Sequence, residues 1–223
     1  MKPVVIFDLD GTLLNTLEDL RDSTNYALEK FGFPTRTLNE VRNFVGNGLK
    51  MLIARAVPSG TEASVIDAVL QEMKRHYAEN YHNRTQPYDG IEALLRRLKA
   101  ENYSMAIVSN KADSVVALLR KLYFDSLIPV AVGETESVSR KPAPDMVYEG
   151  LRRLGLPNVK AIYVGDSEVD LQTARNAGLP CLSVTWGFRS EQQLRDAGAK
   201  HLISTPQALY NTIHEMGKAD FEN

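Results

Sequence analysis

Two aspartates one residue apart, at the end of a run with the composition of a strand buried on both faces, constrain this chain more than anything else in it. Val4-Val-Ile-Phe7 is β-branched and aromatic, the composition of a central strand in a parallel sheet. It stops abruptly in Asp8-Leu9-Asp10-Gly11-Thr12. In extended backbone, residues two apart share a face. Asp8 and Asp10 are therefore expected to converge at the carboxyl edge of the sheet, where open α/β folds place ligands. Carboxylates held together repel, and a cation or a proton must offset the cost. Gly11 permits the sharp turn that follows.

From Thr16 to Arg84 the pattern is helical throughout. Thr16 with Asp19 reads as the start of a first helix, with Leu17, Leu20, Ala27, Leu28 and Phe31 at helical spacing. Thr37 with Glu40 opens a short second helix, Gly46-Asn47-Gly48 interrupts it, and a third runs over 49–57. Ser59 with Glu62 opens the longest, carrying Ile66, Val69, Leu70, Met73, Tyr77 and Tyr81 as its apolar stripe. After Pro87 helices and strands alternate: helices over 89–100, 113–122, 146–154, 168–177, 190–197 and from 205 onward, strands over 104–108, 128–132, 160–164, 181–185 and 201–203. Such alternation argues an α/β fold with a doubly wound parallel sheet, a Rossmann-like core. The expected division is a discontinuous core, 1–14 and 85–223, with an all-helical insert over 15–84.

The 223 residues can bury a substantial core, and a net charge of -2 gives no electrostatic case for nucleic acid or an anionic membrane as partner. A single cysteine, Cys181, excludes an internal disulfide and fits a reducing compartment. With no signal-peptide pattern at the start and no apolar run of membrane-spanning length, a cytoplasmic location is expected. No Gly-x-Gly-x-x-Gly follows the first strand, which speaks against dinucleotide binding. Composition leaves the oligomeric state open.

Three later strand ends carry polar residues as the first does. One ends in Ser109-Asn110, where a hydroxyl and backbone N–H groups suit phosphate oxygens. Another ends in Gly165-Asp166-Ser167-Glu168-Val169-Asp170. There Ser167 and Asp170 have a ready account as a helix cap, whereas Asp166 has none so simple. Lys141 sits in Arg140-Lys-Pro-Ala-Pro-Asp145, a proline-stiffened loop before a helix. Together Asp8, Asp10, Asp166 and Asp170 set four carboxylates at one sheet edge against Lys141. A divalent cation relieves that excess, and sparse oxygen ligands favour Mg²⁺ waiting for a substrate phosphate.

These residues, in this order and on these elements, resemble the four motifs of the haloacid dehalogenase-like hydrolases, and the resemblance covers almost the whole chain. The helical insert resembles that family's small all-helical cap. Val45-Gly46-Asn47-Gly48 with Arg55-Ala56, and Thr85-Gln-Pro-Tyr-Asp-Gly90, resemble its phosphoglycolate phosphatase branch, though pyrophosphatases, sugar-phosphate phosphatases and β-phosphoglucomutases share the layout. Gly133-Glu134-Thr135 departs from the Gly-Gly or Gly-Asp of the family pattern.

What the resemblance implies is a Mg²⁺-dependent phosphomonoester hydrolase acting on a small phosphorylated metabolite. Asp8 would be the nucleophile, forming an aspartyl phosphate, and Asp10 the acid–base group. Mg²⁺ would be held by Asp8, the Asp10 carbonyl and Asp166, with Asp170 steadying metal-bound water or Lys141. Thr12, Ser109, Asn110 and Lys141 would hold the phosphoryl oxygens. The turn at Gly46 and Gly48, with Lys50 and Arg55 nearby, either offers an anion site to a carboxylate-bearing leaving group or is an ordinary turn between helices. A phospho-accepting receiver module would also use clustered aspartates, a hydroxyl, a lysine and Mg²⁺, but needs neither the helical insert nor a second carboxylate suited to acid–base work.

Overall fold

The computed structural model describes residues 2–46 and 48–219, so Asn47 of the glycine turn lies outside the described residues. The chain divides into two compact units: Met1–Leu14 with Pro87–Asn223, and Asn15–Gln86. In chain order the elements are β1 (Val4–Phe7), β2 (Leu14–Asn15), α1 (Leu17–Lys30), α2 (Leu38–Phe44), α3 (Leu49–Ala56), α4 (Ala63–Asn80) and β3 (Gln86–Pro87). There follow α5 (Ile91–Ala100), β4 (Met105–Ala112), α6 (Asp113–Phe124), β5 (Val130–Glu134), α7 (Asp145–Arg153) and β6 (Ala161–Gly165). The chain continues through α8 (Glu168–Asn176), β7 (Cys181–Val184), α9 (Glu191–Asp196), β8 (His201–Ile203) and α10 (Pro206–Ala219).

The first unit is built on a six-stranded sheet ordered β5-β4-β1-β6-β7-β8, parallel at every pairing. Flanking helices make it the Rossmann-like α/β core that the alternating pattern implies. All four β1 residues are completely buried, each such side chain contributing about 1.5–3 kcal/mol of burial. On one face Val4 and Ile6 share a core with Val108, Val132 and Tyr163, and Met146, Val147 and Leu151 of α7 close it. Strand order changes direction at β1: β4 and β5 lie to one side, β6 to β8 to the other. The ends of β1 and β6 therefore flank the switch point where such sheets open a crevice.

β4 outruns the apolar stretch that marks it in the sequence. The strand goes on through Ser109-Asn110-Lys111 to Ala112, which pairs with Glu134 after a register shift beyond Val108. Side-chain polarity hides this continuation, because the ladder is a property of the backbone. Ser167 caps α8 with Asp170 in the reciprocal box its spacing implies.

In the helical unit α1 and α4 pack along each other, burying Leu17, Leu20, Ala27 and Leu28 from one and Val69, Leu70, Met73 and Tyr77 from the other. Thr37 and Glu40 cap α2 as their spacing implies. Two other expected caps are absent. Thr16 makes no side-chain cap bond; Asp19 instead accepts the Arg84 and Thr85 backbone N–H groups, each at 2.9 Å. That hold keeps 84–86 with the helices, so the unit ends at Gln86, slightly later than the residue pattern places it. Nor does Ser59 start α4, because Thr61 folds back onto the Pro58 carbonyl at 2.7 Å and the helix begins at Ala63 behind Glu62. Strands β2 and β3, two residues each, pair where the chain passes between the units. Among the described residues no helix is long and apolar enough to cross a membrane.

Candidate active site

At the carboxyl edge of the sheet three buried carboxylates meet. Oxygens of Asp8 from the end of β1, Asp166 from the end of β6 and Asp170 from the first turn of α8 lie within 4.8 Å of one another. Their exposures are 5%, 2% and 1%. One buried ammonium opposes them: Lys141 Nζ donates to Asp8 Oδ1 at 2.6 Å and to Asp170 Oδ1 at 2.8 Å. Two backbone-directed bonds place that lysine. The Asn110 side chain accepts from the Lys141 N–H at 2.8 Å and donates to its carbonyl at 3.0 Å, clamping the proline-stiffened loop.

The electrostatics follow from burial. Loss of water, with the charges of Asp170 and Asp10, pushes the Asp8 carboxyl up to about 7 although Lys141 pulls the other way. Burial, then Asp8 and Asp170, raises Asp166 well above the usual carboxylate range. Burial works to neutralise the Lys141 ammonium, but the two carboxylates beside it outweigh that and hold it firmly protonated. Three carboxylates against one ammonium is an excess of negative charge in a dry place. An all-oxygen donor set of this kind fits a hard divalent cation such as Mg²⁺.

Within that set the carboxylates differ in what already holds them. Both Asp170 oxygens are engaged, Oδ1 by Lys141 and by Tyr163 Oη at 2.9 Å, Oδ2 by the Ser167 N–H and hydroxyl. Asp166 Oδ2 accepts the Phe188 N–H at 2.7 Å. Thr12, fully buried, donates to Asp8 Oδ2 at 3.3 Å. Gly11, at φ 87°, has no room for a side chain, since a Cβ there would collide with the Asp166 carboxylate.

Asp10 faces a different set. Its Oδ2 accepts from Ser109 Oγ at 3.3 Å, and Lys111 Nζ lies 3.0 Å from its Oδ1. Ser109 and Lys111, two residues apart on β4 beyond its register shift, reach the same carboxylate. That i, i+2 relation to Ser109 is the signal by which Lys111 was legible, had the strand been read to its true end. In the helical unit Lys50 pairs with Asp67 at 2.9 Å, and Arg55 donates to the Phe44 carbonyl at 2.8 Å. Gly46 and Gly48 take positive φ, 112° and 84°, at the break between α2 and α3.

Sequence reasoning also missed the segment after β7. Trp186 Nε1 donates to the Thr12 carbonyl at 3.0 Å, and a Cβ on Gly187 would strike both Asp166 and the Gly11 carbonyl. With Phe188 holding Asp166, this segment pins the first and last motifs to each other. A Trp-Gly pair just past a strand was its only mark in the sequence.

A parallel α/β core with an Asp-x-Asp strand end, a buried lysine and an acidic cluster at its switch point defines a hydrolase of the phosphoryl-transfer class. A sequence profile of the haloacid dehalogenase-like hydrolases matches residues 5–184. The chain belongs to that family. A phosphoglycolate phosphatase of Pseudomonas syringae pv. tomato is 32% identical over 212 residues, 92% of this chain and 78% of that protein. One from Rhodobacter capsulatus is 34% identical over 193 residues, covering 85% and 87%. The crystal structure of a predicted phosphoglycolate phosphatase from Haemophilus somnus superposes with a TM-score of 0.85 at 27% identity, covering 95% of this chain and 97% of that one.

Proposed function

We propose that the chain is a Mg²⁺-dependent phosphomonoester hydrolase that works through an aspartyl phosphate on Asp8, with phosphoglycolate as its substrate. The observation that carries this reading is the Asp8 carboxylate, buried at the end of β1 against Lys141, with a second carboxylate two residues on and an acidic pair behind it. The phosphoglycolate phosphatases among its relatives support the choice of ester.

Asp8 attacks phosphorus; a bond forms from its oxygen to phosphorus as the bond to the leaving oxygen breaks. Asp10 gives its proton to that oxygen, so glycolate departs neutral at the hydroxyl, and then takes a proton from the water that attacks the phosphoryl group. The Asp8–phosphorus bond breaks, phosphate leaves, and both carboxyl groups return to their starting states. Lys141 and the Ser109 hydroxyl bind the phosphoryl oxygens, while Thr12 and Lys141 hold Asp8 in position. Asn110 acts on Lys141 through the loop backbone it clamps. Asp8 and Asp166 would hold Mg²⁺ together with the Asp10 carbonyl, and Asp170, saturated by its hydrogen bonds, steadies Lys141. When bound, the cation neutralises charge on the transferring phosphoryl group.

A panel of phosphate esters tests the reading: phosphoglycolate, hexose phosphates, nucleoside monophosphates, pyrophosphate and phenyl phosphate, assayed for phosphate release with Mg²⁺. Phosphoglycolate is expected to show the highest kcat/KM. Preferred cleavage of pyrophosphate, or return of the phosphoryl group to a sugar, would replace the reading with one of the family's other activities. One equivalent of stable phosphoprotein without turnover would point to a receiver module.

A further inference from the structure

We infer that Lys111 recognises the carboxylate of an anionic leaving group and so sets the preference for phosphoglycolate over neutral phosphomonoesters; the inference rests on the hydrolase reading above. Lys111 belongs to the same unit as Asp10, and its side chain is only 8% exposed with Nζ 3.0 Å from Asp10 Oδ1. The Lys111 backbone N–H donates to Ser109 Oγ at 3.2 Å, and Ser109 Oγ in turn meets Asp10 Oδ2, so the lysine is built into the acid–base group's surroundings.

The chemistry of the leaving group fixes where its charge must fall. To receive a proton, the leaving oxygen has to come within hydrogen-bond reach of an Asp10 oxygen. In phosphoglycolate a single methylene separates that oxygen from the carboxylate. The carboxylate therefore arrives beside Asp10, and once Asp10 has given up its proton two negative groups face each other unless a cation stands between them. Lys141 does not serve there, being held by Asp8, Asp170 and Tyr163 on the phosphoryl side. Lys111 stands at the Asp10 side, 3.0 Å from its carboxylate. A neutral alcohol leaving group makes no such demand.

The test compares kcat/KM for phosphoglycolate and for phenyl phosphate in wild type, Lys111→Met and Lys111→Arg, with circular dichroism to verify folding. In Lys111→Met the ratio of the two values is expected to fall roughly 10- to 100-fold, the weight of one charge-assisted hydrogen bond. Lys111→Arg is expected to restore most of it. A ratio unchanged within about twofold in Lys111→Met overturns the inference, because the lysine then serves Asp10 alike for every ester. Should Lys111→Met not fold, the arginine variant and wild-type turnover of the carboxamide analogue of phosphoglycolate decide. An analogue turned over as well as the acid overturns the inference. If wild type has no preference for phosphoglycolate, the substrate reading falls as well; if the preference survives in Lys111→Met, only the role of Lys111 falls.

Discussion

The Asp170 carboxylate serves two purposes at once, and it shows how far single residues could be read. One oxygen completes the cap of α8 with Ser167, the other holds Lys141 and Tyr163. The cap was legible from the Ser-x-x-Asp spacing alone; the grip on Lys141 was not, since a separation of 29 positions carries no periodic signal. Among the described residues Lys141 is the ammonium that bonds this cluster, so removing it leaves the buried Asp8 and Asp170 carboxylates short of a countercharge. Lys141→Met is expected to cost about 3–5 kcal/mol in metal-free protein, measured by urea unfolding with chelator present; a loss under about 1 kcal/mol would contradict the pairing. Asp10 should behave differently, because its work is proton transfer. Asp10→Asn is expected to lower kcat for an alkyl phosphate by about 10²–10⁴ and for an aryl phosphate, whose leaving group needs less help, by much less. Equal losses would remove Asp10 from the acid–base role.

At the scale of elements, the strands and helices after Pro87 were legible because burial and period agree there. Their ends were not. β4 runs through three polar residues because its backbone rejoins β5 at Ala112, past a register shift, beneath side chains that read as loop. One cap misled for the converse reason: the spacing was right, but a better partner existed. Asp19 holds the Arg84 and Thr85 N–H groups, 65 and 66 residues away, instead of closing its own helix start. Asp19→Ala is therefore expected to destabilise the helical unit by about 1–3 kcal/mol, the cost of stranding buried donors. Hydrogen exchange should show faster opening at Arg84 and Thr85 and along α1; protection unchanged there would mean that this tie does not hold the unit's return strand.

For the whole molecule, the excess of buried carboxylate couples stability to pH and metal. The Asp8 carboxyl, raised from 3.8 to about 7, and Asp166, raised with it, keep protons in the folded chain that the unfolded chain has released. The folded state binds more protons across that window, so metal-free stability is expected to be fully present below about pH 4 as far as these groups are concerned and to decline as pH rises toward 7. Mg²⁺ competes with the same protons. Its addition should thus raise the Tm more near pH 7.5 than near pH 5, and a shift as large at the lower pH would contradict the coupling. The sequence made the charge excess visible by counting carboxylates against lysines. It could not show that burial is nearly complete, which is what turns the count into a pH dependence.

Trapping the phosphoryl group on Asp8 decides whether this aspartate is the nucleophile. Mg²⁺-loaded protein turning over phosphoglycolate would be quenched rapidly in acid, digested and mapped by mass spectrometry. The expected result is a peptide containing Asp8 heavier by one phosphoryl group, sensitive to hydroxylamine and absent from Asp8→Asn, which should itself fold and show no turnover. Steady phosphate release with the group found on another residue, or turnover by pure Asp8→Asn protein, would contradict it.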